Sequence, residues 1–255
     1  MNKDVIYMDL DTLVPKTYSS VREFKQDVGL TANVVLQVLI ENRLVPVYFN
    51  VSFDRPNRLE VVIGDGCLEV TFEDDPNTGK PVAEINWVRT NVQKCIESIQ
   101  IGEKFRAVDM LTIAETLSRK FGASHIELTD AASLHGLFFS WYRYFSKGLL
   151  FYETYGYRIC DYEERVSVHS ILSYLKNLPL VQVVDVANFG VSVNEFTPFG
   201  KVYISIFEKA LKDDRYKAQL KLLNDVIDQF IIKQFGAEII LDFCKDLPEI
   251  VVELD

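Results

Sequence analysis

The chain has 255 residues, of which 48% are hydrophobic and 25% are charged, and 27 basic against 37 acidic side chains give a formal net charge of −10. This length and composition are typical of a packed globular protein and exclude a largely disordered chain. The acidic balance, without a cluster of lysine and arginine, argues against binding to nucleic-acid phosphates. We therefore expect no nucleic-acid partner.

The sequence also bears on the compartment of the protein. No stretch reaches the roughly 20 consecutive apolar residues that a membrane span requires. The N-terminal residues lack the basic region and apolar core of a signal peptide. We expect a soluble protein in the cytoplasm.

Cysteine and histidine usage gives no metal motif. Four cysteines stand far apart in the chain and form no CxxC pair: Cys67, Cys95, Cys160 and Cys244. Their spacing predicts reduced core thiols of an intracellular protein. The three histidines also lack metal-ligand spacing, and they are His125, His135 and His169. We therefore predict no metal site.

The N-terminal region predicts two helices. Ser19 or Ser20 can cap a first helix that ends near residue 28. Apolar side chains then recur at helical spacing, which predicts a second helix over residues 31–42.

The pattern next changes to the alternation of strands. Five segments rich in Val, Ile, Phe and Tyr are predicted as strands: residues 45–53, 59–63, 67–72, 82–88 and 96–101. Short turns between them predict an antiparallel meander. An amphipathic helix follows over 107–121, ended by Gly122, and then a buried strand over 125–129. Asp130 and Ser133 are interpreted as turn or cap residues.

An aromatic segment follows this strand. Six aromatic side chains fall within residues 138–145, and they cannot all face one side of a helix. Core packing or an interface therefore explains the segment better than a ligand cage does. The segment is our candidate for a protein–protein contact, with Phe138, Trp141 and Tyr144 as interface residues.

The rest of the chain is mainly helical. Helices are predicted over 166–178, 199–211 and 215–235, and residues 181–186 are an apolar run that suits a strand. Because no repeat or low-complexity linker interrupts the chain, we predict an α+β domain over 1–160 and a helical extension over 161–255 docked on it.

Two segments resemble a known family. RKFGASHIELTDA and LLFYETYGYRI are similar to the helix–strand and aromatic-Tyr segments of the GNAT superfamily of N-acetyltransferases. The resemblance implies a mixed, mostly antiparallel sheet flanked by helices. It stops near Asp161, which leaves the C-terminal helical extension outside it.

The resemblance also implies a glycine-rich turn that holds the pyrophosphate of acetyl-CoA at a helix N-terminus. In the register that fits this chain, Arg106 is kept, but the glycine positions are Ala107, Asp109 and Leu111. The side chains block close backbone approach, and the carboxylate repels phosphate. Arg106 and Lys104 remain as cofactor-binding candidates on a degenerate turn.

Tyr152 stands where many members of the family place a tyrosine that protonates the departing CoA thiolate. The mechanism also needs a carboxylate on the sheet, and Glu69, Glu73 and Glu84 are the alternatives. Tyr152 is therefore the candidate general acid, although a packing role fits the altered turn better.

Together these features predict a non-catalytic structural or protein-interaction protein on a GNAT-like fold, with no cofactor and with a protein partner or self-association. The alternative is an active acetyl-CoA-dependent N-acetyltransferase with an atypical phosphate-binding turn. A weaker interpretation is an α+β binding module unrelated to acetyltransferases. The aromatic-rich style also resembles proteins of large double-stranded DNA viruses, which would imply the host cytoplasm or the virion.

Overall fold

A computed structural model of the protein describes residues 6–9, 19–28, 34–40, 43–55, 58–63, 67–88, 107–130, 133–134, 137–189, 193–236 and 241–247. The protein is mixed α+β, with a mostly antiparallel open sheet flanked by helices. This confirms the predicted α+β class. The chain divides into two compact units, one of Met1–Leu128 with Cys244–Asp255 and one of Thr129–Phe243. Separate domains over 1–160 and 161–255 stay a prediction.

The elements follow one another in this order: β1 (Ile6–Asp9), α1 (Val21–Val28), β2 (Val34–Ile40), β3 (Arg43–Arg55), β4 (Arg58–Ile63), β5 (Leu68–Asp74), β6 (Pro81–Val88), α2 (Ala107–Lys120), β7 (His125–Thr129), β8 (Ser133–Leu134), β9 (Leu137–Phe138), α3 (Ser140–Lys147), β10 (Arg158–Ile159), α4 (Tyr162–Asn177), α5 (Phe199–Ala210), α6 (Lys217–Phe235) and β11 (Asp242–Asp246). Short 3₁₀ turns cover Tyr152–Tyr155, Leu180–Gln182, Val186–Asn188 and Asp214–Tyr216.

The first unit is built on a sheet with the strand order β1-β2-β3-β4-β5-β6-β7-β11. The pairs β1/β2 and β6/β7 are parallel, and the neighbours from β2 to β6 are antiparallel. Helix α2 packs on β5 and β6, where the rings of Phe72 and Phe121 lie 4.6 Å apart. Buried apolar residues of β4 to β7 form this core face. Just after β11, the amide of Leu247 donates to the carbonyl of Ser124 at 3.0 Å, an ordinary hydrogen-bond length.

The N-terminal part of this unit differs from the sequence prediction. Ser20 caps α1 as predicted, since its Oγ accepts from the amide of Glu23 at 3.1 Å. The predicted helix over 31–42 is wrong, because Val34–Ile40 forms β2 between β1 and β3. The apolar run VVLQVLI fits both the helical and the strand period. Its β-branched side chains favour a strand once partner strands are present.

The second unit is mainly helical. Helix α5 contacts α3, α4 and α6 and lies at the centre of the unit. It contributes fully buried rings at every fourth position, from Phe199, Tyr203 and Phe207. Spacing by four places the three rings on one face of the helix. Strands β8 and β9 form a two-stranded ladder.

Most later predictions are confirmed at the level of element type. Helix α2, strand β7 and helices α4, α5 and α6 are present, and α4 begins at Tyr162, four residues earlier than predicted. Four of the five meander strands are also present, and residues 96–101 lie outside the described residues. The strand over 181–186 is wrong, because the amides of Val183 and Val184 both donate to the carbonyl of Leu180 and close a turn instead. The helices of the predicted C-terminal extension follow β10 in the chain, and strand β11 follows them.

Candidate functional site

Tyr152 begins the 3₁₀ turn of the second unit and is buried. Its side chain is 8% exposed, and its ring centroid lies 5.5 Å from that of Phe243 and 5.0 Å from that of Phe151. Burial, and then the charge of Asp130, raise the pKa of Tyr152 far above its usual value of 10. A covered phenol with such a raised pKa is poorly matched to proton transfer at neutral pH.

The residues of the predicted phosphate turn are only partly described. Lys104 and Arg106 lie outside the described residues. Asp109 is in the first turn of α2 and is 8% exposed. A carboxylate there is stabilised by the positive end of the helix dipole, which is the end that would otherwise attract a phosphate.

A polar cluster occupies the face of the sheet opposite α2 in the first unit. Glu69 is 8% exposed and Thr71 is 2% exposed. The side-chain amide of Asn86 donates to Glu69 Oε1 at 2.7 Å and lies 2.8 Å from Thr71 Oγ1. Of the three carboxylates considered on the strands, Glu69 is the buried one, whereas Glu73 and Glu84 are exposed or partly exposed.

Asn86 reaches this position because β6 contains a bulge. Glu69 of β5 pairs with Trp87, whereas the next residue, Val70, pairs with Ile85. Asn86 is therefore the extra residue of β6 at this point. Bulges re-aim side chains and are frequent beside functional sites. The arrangement can hold one carboxylate in a fixed, hydrogen-bonded orientation.

The three predicted interface residues lie in the second unit. Phe138 is half-buried on β9, and its ring contacts the Trp141 ring edge-on at 5.2 Å between centroids. Trp141 and Tyr144 on α3 are each 6% exposed. The Tyr144 hydroxyl donates to the backbone carbonyl of His169 at 3.0 Å. Of the three, only Phe138 is not buried.

A charged cluster that the sequence did not reveal joins the 3₁₀ turn to α4. Glu153 Oε1 lies 2.8 Å from His169 Nε2 and 3.5 Å from Arg165 Nε, and the carboxylate is 3% exposed. The amide of Leu150 donates to Glu153 Oε2 at 3.0 Å. Burial alone would raise the pKa of Glu153, but the hydrogen bonds from His169 and Leu150, with the charge of Arg165, outweigh it and lower the pKa.

The sequence held a weak signal for this cluster. Arg165 and His169 are four residues apart, which places both on one face of a helix. Glu153 stands inside the FYETYGY motif, three residues before Gly156. Nothing in the local pattern says that these two features meet, and the spacing of His169 predicts no metal site.

Two cysteines differ from the prediction of reduced core thiols, and Cys95 lies outside the described residues. Cys160 is an exposed free thiol and Cys244 is a buried free thiol. Cys67 is disulfide-bonded, so the prediction of a reduced thiol is wrong for this residue. Disulfides are rare in reducing compartments, which weakens the argument for a cytoplasmic site that rested on the cysteines.

Among the described residues, no group of three or more His, Cys, Asp or Glu side chains is placed to hold a metal ion. Within the same part of the chain, no helix is long and apolar enough to cross a membrane. His125 Nε2 lies 3.0 Å from Glu127 Oε1, and His135 lies outside the described residues. Among the residues that the structure describes, buried carboxylates occur at Glu69, Asp109 and Glu153. Comparison with known proteins found no matching family model, curated protein or solved structure.

Proposed function

We propose that this chain is a non-catalytic protein-interaction protein built on an acetyltransferase-like α+β fold. The order of elements supports the likeness: an antiparallel meander, helix α2, strand β7 and the aromatic-Tyr turn before β10. The resemblance would place β7 beside a strand over 96–101, and those residues lie outside the described part of the chain. We infer that the chain keeps this scaffold but does not carry out the acetyl-CoA chemistry of the family.

The observation that carries the proposal is the buried carboxylate of Asp109 in the first turn of α2. Pyrophosphate binding at a helix N-terminus uses free backbone amides and the positive end of the dipole. The carboxylate of Asp109 places a negative charge in the same turn, where the phosphates would otherwise bind. Bringing two phosphate charges beside it in a partly buried site costs several kcal/mol at an effective dielectric of about 20.

The interaction half of the proposal rests on the aromatic segment. Phe138 is half-buried beside a buried Trp141, so a ring stays accessible at the edge of an aromatic cluster. Aromatic side chains with one accessible face are enriched at protein interfaces. We therefore assign the contact with a partner, or with a second copy of the chain, to the surface around Phe138.

Sedimentation velocity of the purified chain over a wide range of concentrations tests this assignment. We expect a sedimentation coefficient that rises with concentration in the wild type and stays at the monomer value in Phe138→Ser. Tyr162→Ser is the matched control, because Tyr162 is an aromatic residue of the same unit that is 74% exposed and lies on α4. Association that survives Phe138→Ser would remove this surface from the proposal.

A second candidate function is favoured by the bulge in β6. Glu69 is a buried carboxylate on the sheet, oriented by Asn86, as an acetyltransferase needs for accepting the proton of an amine. If the chain is an active N-acetyltransferase, Glu69→Gln removes acetyl transfer to an amine acceptor, while Glu73→Gln, at an exposed position, keeps it. Absence of acetyl-CoA turnover in the wild type eliminates this candidate.

A further inference from the structure

Helix α4 is held to the 3₁₀ turn by a single buried anion. The Glu153 carboxylate accepts the Leu150 amide of its own turn at 3.0 Å, and its other oxygen lies 2.8 Å from His169 Nε2. Arg165, one turn earlier on α4, lies 3.5 Å away. Both groups that face the carboxylate from α4 therefore belong to the first half of that helix.

Helix α3 packs against the same point. The Tyr144 ring lies 5.3 Å from the His169 ring between centroids, and the Tyr144 hydroxyl donates to the His169 carbonyl at 3.0 Å. The charge of Glu153, after burial, raises the pKa of this phenol, so Tyr144 stays neutral at acid and neutral pH. Tyr144 thus adds a neutral contact and no competing charge.

Apolar packing attaches both halves of α4. Val168 in the first half is fully buried, as are Leu172 and Leu175 in the second half. The second half also approaches α5 closely, because a Cβ built at Gly200 would lie 2.9 Å from Lys176 Cγ. Apolar packing does not depend on protonation, so the Glu153 contact is the part of the first half's attachment that responds to acid.

We propose that the Glu153–His169 contact is an acid-sensitive latch: at neutral pH it holds the first half of α4 on the 3₁₀ turn, and acidification releases that half while the second half stays packed. Protonation of Glu153 removes the buried negative charge that faces Arg165 and changes the hydrogen-bonded contact with His169. Removing one partner of a buried pair is costly. This inference does not depend on the proposed function.

The sign of the pH effect follows from the protonation of Glu153. Its pKa in the folded protein is below the usual 4.5. The carboxylate therefore contributes stability that is fully present above the unfolded pKa and is lost as pH falls through the folded pKa. The window for release lies below about pH 4.5.

The pKa of Glu164, on the same helix, shifts in the opposite direction. Burial, and then the charges of Asp161 and Asp242, raise its pKa. Its ionised form is therefore destabilising at neutral pH, and protonation relieves that repulsion as pH falls. A variant of Glu164 is thus a matched control for a variant of Glu153.

Hydrogen exchange of the full chain, followed by mass spectrometry of peptides from α4 and α5, tests the latch. In the wild type we expect the protection factors of the first half of α4 to fall at about pH 3, well inside the window below about pH 4.5, relative to about pH 7, while those of α5 stay high. Glu153→Gln should lower protection of the same peptide about tenfold already at neutral pH and show little further response to acid. Glu164→Gln should keep the acid-induced fall, at least as large as in the wild type, because it removes a group whose protonation is stabilising.

His169→Gln provides a second variant, because it keeps the carboxylate and a neutral amide donor. We expect a reduced acid response in this variant, since only Arg165 is left to lose its counter-charge. Two results would overturn the latch: an acid response of α4 that is unchanged in Glu153→Gln, or wild-type protection in this peptide that does not fall between the two pH values. Simultaneous loss of protection in α4 and α5 would also contradict it, because the whole unit would then unfold together.

Discussion

Tyr144 and His169 connect two helices of the second unit, through a hydrogen bond of 3.0 Å from the Tyr144 hydroxyl to the His169 carbonyl. Tyr144 is 6% exposed, as is Trp141 three residues earlier. Two residues that the sequence marked as interface candidates therefore contribute to the interior of their own unit. A partner that used them would first have to displace α4 from Tyr144.

This burial predicts the behaviour of a double polar variant. Trp141→Ser with Tyr144→Ser should lower the free energy of unfolding by about 4 kcal/mol or more, because it empties two large buried volumes and removes a buried hydrogen bond. Urea denaturation measures the loss. Tyr162→Ser, at a position that is 74% exposed, should change the same quantity by less than about 0.5 kcal/mol. A double variant as stable as the wild type would show that α3 does not pack as described.

The approach of α5 to α4 gives a second prediction. A Cβ on Gly200 would lie 2.9 Å from Lys176 Cγ and 3.1 Å from the Lys176 carbonyl oxygen. Gly200→Ala should therefore destabilise the protein by about 1–3 kcal/mol, although alanine is the better helix former by about 1 kcal/mol. Ser205→Ala, at an exposed position in the middle of the same helix, is the control and should be neutral or slightly stabilising. Thermal unfolding of the two variants compares them, and a stabilised Gly200→Ala would contradict the close approach.

The cysteines give a third prediction. An alkylating reagent should modify Cys160 rapidly in the folded protein, because its thiol is free and exposed. Cys67 should remain unmodified until a reductant is added, since it is disulfide-bonded. Peptide mass spectrometry after alkylation with and without reductant distinguishes the two residues. Alkylation of Cys67 in unfolded, unreduced protein would show that no disulfide forms there.

Parts of this fold can be predicted from the sequence because their signals are local. Helix α2 has an apolar stripe and stops at Gly122, whose φ of 71° is the left-handed conformation that glycine adopts readily. Strand β7 follows as a short run in which apolar and polar residues alternate. Both were predicted within one residue of their observed ends.

Other parts depend on contacts between distant residues. The run Val34–Ile40 is apolar at both helical and strand spacing, and pairing with β1 and β3 decides its conformation. The contact of Glu153 with His169 joins residues 16 apart in the chain. It depends on the direction in which the chain leaves the turn at Gly156, where φ is 85°. Neither partner strands nor chain direction can be inferred from a local pattern.

We propose that the scaffold does not hold acetyl-CoA, and the sharpest test is a thermal-shift titration of the purified chain with acetyl-CoA and with free CoA. A ligand at 100 times its dissociation constant adds about 2.7 kcal/mol to stability, which raises the melting temperature measurably. We predict no saturable shift for the wild type, and Asp109→Asn is the control for the effect of the carboxylate alone. A saturable rise in melting temperature that is lost in Arg106→Ala would show that the turn holds acetyl-CoA, which contradicts the proposal and favours the N-acetyltransferase function.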